Sequence, residues 1–187
     1  MIGASLVDEG RCIMREWRIV LLAILISAAG VLSKAAAHSD SAFENLKGLV
    51  GEWESTGQTG QTKAVYTLVA GGKTLMERLE PANEPEMITM YSADGEQISV
   101  AHYCNSGNQP QMKTVAISAS EQKLSFTVIR VNGLKTPLEG HMTGLTLILV
   151  DHDHLIQEWT YLENGKSSTH TIRFTRKAEK PARITPA

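Results

Sequence analysis

The chain has 187 residues, a net charge of −2 from 18 basic and 20 acidic side chains, and two cysteines. With 42% hydrophobic and 20% charged residues, it is too apolar for a disordered chain. It is also too evenly charged to be held on nucleic acid by phosphate contacts. Two cysteines cannot frame a disulfide scaffold, and the length fits one domain.

Residues 1–37 read as a leader. Arg15 and Arg18 give a basic start, and Ile19 to Leu32 is an uncharged run of 14 apolar and small residues. Ala35-Ala36-Ala37 then supplies a small-x-small cleavage pattern. That order is the order of a secretory signal peptide, and the run is shorter than the roughly 18 residues of a membrane span. No L-x-x-C lipoprotein signal precedes the domain. Residues 1–13, ahead of Met14, read as an over-called start. The sequence therefore predicts export to the periplasm or the extracellular space, with no stable membrane insertion after cleavage. An uncleaved anchor is the alternative. Without residues 1–37, 14 basic and 17 acidic residues remain, a net charge of −3 over 150 residues. One cysteine, Cys104, and all six histidines (38, 102, 141, 152, 154 and 170) stay.

Residues 38–177 read as one domain and 178–187 as a flexible tail. Asp40-Ser41-Ala42 caps a short helix whose apolar positions are Phe43, Leu46, Leu49 and Val50. From Gly51 on, alternating stretches rich in β-branched residues predict ten strands. They cover 51–58, 62–70, 73–80, 86–93, 96–104, 111–119, 123–131, 142–150, 154–162 and 168–176. Gly71-Gly72, Pro81 to Pro85, Asp94-Gly95, Gly107 to Pro110, Asn132-Gly133 and Asn164-Gly165 separate them. Asp-Gly and Asn-Gly suit tight primed hairpins, which need positive φ. No helix long enough for a parallel crossover lies between strands, so the sheet is an antiparallel meander. Consecutive hairpins favour an up-and-down barrel, because closure removes both sheet edges. The fold class is all-β: a ten-stranded antiparallel barrel behind a short N-terminal helix.

Leu49-Val50-Gly51-Glu52-Trp53-Glu54-Ser55-Thr56-Gly57, after a short helix, resembles the opening of the calycins, the lipocalin-like barrels whose first strand carries G-x-W. Nitrobindin-like haem barrels extend this to G-x-W-x-G-x-G. Gly51, Trp53 and Gly57 match, and Ser55 stands at the middle glycine. Further stretches resemble a group of exported bacterial proteins of the DUF1579 kind: Ala70-Gly71-Gly72, Glu86 to Tyr91, His102 to Pro110, and Asp151 to Trp159. The resemblance spans roughly 43–176. It implies the barrel and export, and no activity.

Side-chain parity selects the candidate site. Ile98, Val100, His102 and Cys104 share one strand face, and its apolar start points inward. Asn108 and Gln109 follow in a loop that closes one mouth, and Met112 opens the next strand. His141 is in phase with Leu145, Leu147 and Leu149, which also predicts an inward side chain. Trp159 belongs to the core or the pocket wall. These seven residues form the predicted ligand site. His102, Cys104 and His141 are in addition the candidate ligands of zinc or copper. The plainer reading is satisfied core histidines beside a small buried thiol. The resemblance implies that Trp53, following Gly51, plugs the closed end, with Arg173 or Arg176 stacked across it. It also offers His170, on the last strand, as a haem ligand; a solvated strand-end histidine is the alternative. Asp151-His152-Asp153-His154 reads as a solvated turn. No nucleophile-elbow, Walker, HExxH or dinucleotide motif occurs. A thiolate–imidazolium pair of Cys104 and His102 would need a third group to orient it. The leading expectation is a non-enzymatic barrel that binds a small, partly apolar ligand, with no cofactor. The alternatives are a haem or metal barrel and a cysteine-dependent enzyme or redox protein. The sequence sets no oligomeric state.

Overall fold

In the computed structural model the chain divides after Ala37. The structure describes residues 42–57, 60–117 and 120–178, all in the second unit. The predicted leader, the Asp40-Ser41 cap and nearly all of the predicted tail lie outside the described residues. Among the described residues no helix is long and apolar enough to cross a membrane.

A helical segment, α1, covers residues 42–47. Ten strands follow: β1 (Gly51–Gly57), β2 (Gly60–Val69), β3 (Thr74–Pro81), β4 (Met87–Asp94), β5 (Gln97–Tyr103), β6 (Gln109–Ile117), β7 (Lys123–Asn132), β8 (His141–Leu149), β9 (His154–Glu163) and β10 (Lys166–Arg176). Every strand pairs antiparallel with its sequence neighbours, and β10 returns to β1 to close the barrel. The turns follow local chemistry. Asn164 (φ +50°) and Gly165 (φ +74°) both adopt the left-handed conformation that a tight primed turn needs. The turn after Asp94 sits one residue later than its dipeptide suggested. Asp94 still pairs with Gln97, and Gly95 carries the positive φ of +61°.

Alternate residues of each strand face the lumen, and the two ends differ. At one end α1 supplies Ala42, Phe43 and Leu46, which join Leu49, Trp53 and Phe174 in the core. Trp53 packs edge-on to Tyr66, with ring centroids 6.5 Å apart, and donates its indole N–H to the Leu49 carbonyl at 2.8 Å. Arg176 lies 4.1 Å over the Trp53 ring. Its guanidinium also donates to the carbonyls of Gly48, Val50 and His152 at 2.7–2.9 Å. Arg173, the other candidate for that stack, is exposed, because odd positions of β10 lie on the opposite face from Phe174. Gly51 has φ +131°, and a Cβ there would come within 3.1 Å of the Arg176 guanidinium. This is the closed end.

The other end carries the β3–β4, β5–β6, β7–β8 and β9–β10 connections. There the seam is short. β1 and β10 pair only at Trp53–Arg176 and Glu54–Thr175, next to the closed end. Beyond these pairs the inner face of β10 emerges into solvent. Phe174 is buried and Ile172 half-buried, while His170 and Ser168 are exposed. Their register partners on β9 are Leu155, Gln157, Trp159 and Tyr161. His170 and Ser168 therefore keep the inward register and are reached by water.

Candidate functional site

Across four consecutive strands, direct register partners place polar side chains in one inward row. Tyr66 on β2 faces Glu77 on β3, Glu77 faces Thr89 on β4, and Thr89 faces His102 on β5. Direct cross-strand partners lie about 5 Å apart, so the row can bond side to side. Gln157 on β9 reaches it from across the lumen. Its Nε2 donates to Glu77 at 2.6 Å and lies 2.7 Å from the Tyr66 hydroxyl. Tyr66 donates to Glu77 Oε1 at 3.1 Å, and Tyr91 to Oε2 at 2.7 Å. Trp159 donates its indole N–H to Gln157 Oε1 at 2.9 Å, and its ring meets that of His102, centroids 4.7 Å apart. Thr89 Oγ1 is 3.0 Å from His102 Nδ1.

Burial sets the electrostatics. Glu77 and Gln157 are 0% exposed and His102 1%. Burial raises the Glu77 pKa above the usual carboxylate range, against the pull of its hydrogen-bond donors, Gln157, Tyr91 and Tyr66. Burial, reinforced by the Glu77 charge, pushes the Tyr66 and Tyr91 hydroxyls well above their ordinary values, so both are donors at neutral pH. Burial also lowers the His102 pKa to about 4, which makes the ring neutral at pH 7. Two buried side-chain atoms have no partner among the described residues: His102 Nε2 and Asn108 Oδ1.

The candidate residues separate. His102 and Trp159 meet in the lumen. Met112 is buried beside Val100, its β5 partner, as core. Asn108 is buried at the open end, where its Nδ2 donates to the Gly140 carbonyl at 2.9 Å and ties the β5–β6 loop to the β7–β8 loop. Gln109 instead begins β6 opposite Asn132, out of phase with the buried Pro110, Met112 and Thr114. It faces away from the lumen. Cys104 is buried, but its thiol turns to its own loop, 3.5 Å from Asn105 Oδ1 and from Ser106 Oγ. His141 corrects the parity argument. A bulge between Met142 and Gly144 inserts one residue, so Met142 pairs with inward Tyr161 and His141 pairs with Leu162. His141 Nδ1 lies 2.7 Å from the Glu139 carbonyl. His102, Cys104 and His141 thus do not converge. Among the described residues no three His, Cys, Asp or Glu side chains are grouped to hold a metal ion. The Asp151–His154 segment is an exposed turn, closed by Asp153 N–H to Asp151 Oδ1 at 2.8 Å and by His154 Nδ1 against the same carboxylate.

Sequence reasoning passed over Tyr66, Glu77, Thr89, Tyr91 and Gln157. The signal was present: Glu77 is in phase with Leu75 and Leu79, and Gln157 with Leu155 and Trp159. A carboxylate centred on an apolar strand face needs partners. Compared with known proteins, the chain matches no family model and no curated protein.

Proposed function

We propose that this is an exported calycin-like barrel, of the DUF1579 kind, that takes a small, partly apolar ligand at its open end. One observation carries the reading. His170 and Ser168 are exposed although their partners, Trp159 and Tyr161, face the lumen. Solvent therefore reaches the inner-register side chains of β10 as far as His170, while its partner Trp159 stays buried. Below that depth the lumen is filled, and the buried polar row forms a floor. An apolar wall with a few polar groups is the usual make-up of a small-molecule site. The leader-like composition of residues 1–37 supports export.

Native mass spectrometry of protein purified from its own host tests the reading. A retained mass that leaves on denaturation is expected. A bare chain mass, with no change in tryptophan fluorescence on titration with anilinonaphthalene sulfonate, overturns it. N-terminal sequencing of the secreted protein is expected to begin near His38; a start at Met1 or Met14 overturns the export reading.

A second reading rests on His170 alone. Its imidazole is in the inward register beside half-buried Ile172, where a neutral ring can meet a haem iron. Ser168 Oγ lies 3.3 Å from its Nε2 and competes for that nitrogen. A Soret shift on adding haemin that is lost in His170→Ala supports this reading; no shift removes it.

A further inference from the structure

We infer that two copies of this chain associate by pairing the open-end halves of their β10 strands edge to edge, antiparallel, about a two-fold axis through Thr169. The inference goes beyond the ligand-binding reading and is independent of it.

The free edge follows from strand lengths. β1 and β10 pair at Trp53–Arg176 and Glu54–Thr175, and continuing that register brings the last residue of β1, Gly57, level with Ile172. Residues 166–171 of β10 therefore run past the end of β1, and all of them are exposed. On its other side β10 pairs with β9 without a register shift, from Lys166–Glu163 to Thr175–His154. Backbone groups of successive residues point to opposite sides of a strand, and two hydrogen bonds fix the phase. The Arg176 N–H donates to the Asp153 carbonyl, just before β9, whereas the Lys177 N–H donates to the Glu52 carbonyl of β1. Even positions of β10 thus bond toward β9. The N–H and C=O of Ser167, Thr169 and Thr171 point out of the sheet edge, and among the described residues no strand lies against them on that side.

Bare edges are ordinarily blunted by a charge, a proline or a bulge, and Ser167 to Thr171 contains none of these. The same stretch suits its own copy. Only odd positions can exchange hydrogen bonds across this edge, and a two-fold axis through Thr169 uses all the free ones while keeping the partner clear of β1. Thr169 then meets the partner's Thr169, and Ser167 meets the partner's Thr171, each pair exchanging both backbone hydrogen bonds. Hydroxyl side chains placed directly opposite one another favour the pairing. On the inner face His170 meets the partner's Ser168, the chemistry its Nε2 already has within the chain, where Ser168 Oγ lies 3.3 Å away. Lys166 falls opposite the partner's Ile172, so no cation faces a cation. A foreign peptide would be selected by charge or by large apolar anchors, and Ser167 to Thr171 offers neither. The interface is small, so association is weak and depends on concentration. In dilute protein the edge-facing amides stay open to exchange.

Sedimentation velocity of the full mature chain over a concentration series, with cysteine variants cross-linked by mild oxidation, tests this. A reversible monomer–dimer equilibrium is expected. Thr169→Cys is expected to give a disulfide-linked dimer, because directly opposed strand residues lie within disulfide reach. Thr171→Cys alone is expected to give none, and to cross-link when mixed with Ser167→Cys. Wild type, with its buried Cys104, is the control. Thr169→Pro removes an edge-facing N–H and leaves the β9 ladder intact. It is expected to weaken association about tenfold or more, with little change in thermal midpoint. Should it not fold, Thr169→Lys takes its place, since it sets two like charges face to face on the exposed side. A chain that sediments as a monomer at every concentration overturns the inference, as does a dimer that the substitution at Thr169 leaves as tight as wild type. Stronger cross-linking by Thr171→Cys alone than by Thr169→Cys overturns the two-fold axis. Thr169→Cys that cross-links to a different polypeptide in a host extract, and never to itself, gives the edge to a foreign strand and overturns the self-pairing.

Discussion

At the scale of single residues, Glu77 organises the lumen. It receives hydrogen bonds from three strands besides its own, so its loss leaves several buried donors unmade. Glu77→Leu is expected to destabilise the fold by about 3 kcal/mol, and Tyr91→Phe by about 1 kcal/mol, both read from the urea midpoint. His102 adds a pH dependence whose sign is fixed. Its folded pKa is lowered, to about 4 from 6.5. The associated stability is complete above pH 6.5 and is lost as pH falls toward 4. The whole effect is about 3 kcal/mol. Glu77 acts oppositely, because its folded pKa is raised: its contribution is complete at low pH and is lost as pH rises through the folded value. Comparing wild type with His102→Gln isolates the histidine. The stability difference between them is expected to shrink from pH 7 to pH 4.5, and a constant difference would contradict the buried neutral ring. How legible was this row? His102 was, because Ile98 and Val100 sit in phase before it. Glu77 carried the same parity signal. What the sequence could not display was the partnership, since Gln157 lies 80 positions away in the chain and only barrel closure brings it to the carboxyl.

At the scale of elements, local chemistry made the strands readable. All ten occur in the predicted order, with each end within two residues of its expected place. Side-chain alternation and Gly-containing turns are short-range signals. The extra residue in β8 is different. It depends on how Met142 and Gly144 meet their β9 partners, and no local pattern announces it. One inserted residue put the buried His141 in register with Leu162 rather than with inward Tyr161, and with the Cys104 thiol held by its own loop the predicted His-Cys-His cluster does not form. At the closed end, Arg176 joins α1, β1 and the β8–β9 turn through three carbonyls and the Trp53 ring. Arg176→Ala is expected to cost about 3 kcal/mol. Arg176→Lys is expected to recover less than half, because an ammonium lacks the planar fork that serves several carbonyls while stacking. Thermal unfolding of the two variants checks both statements.

At the scale of the whole molecule, the barrel is a meander whose ends are joined by two residue pairs. β9 bonds β10 along its whole length, but on its other side β10 pairs with β1 only at Thr175 and Arg176. Amide hydrogen exchange is expected to show this asymmetry. Within residues 166–173 every second amide should exchange quickly, while 174–176 stay protected with the core. Uniform protection along β10 would contradict the open seam. The short seam also bears on how the chain reaches its native state. Nine of the ten strand pairings join sequence neighbours and can form as separate hairpins, in microseconds. The tenth must bring together segments about 120 residues apart, and the contacts that offset its closure entropy gather at the closed end, where Arg176 and Lys177 meet Trp53, Glu52 and the Gly48 and Val50 carbonyls. Closure is then expected to be the last pairing to form. Until it occurs, the chain is an open sheet with two bare edges, each able to pair with the edge of another molecule. The clasp at the closed end therefore guards the growing chain against self-association as well as holding the finished barrel shut.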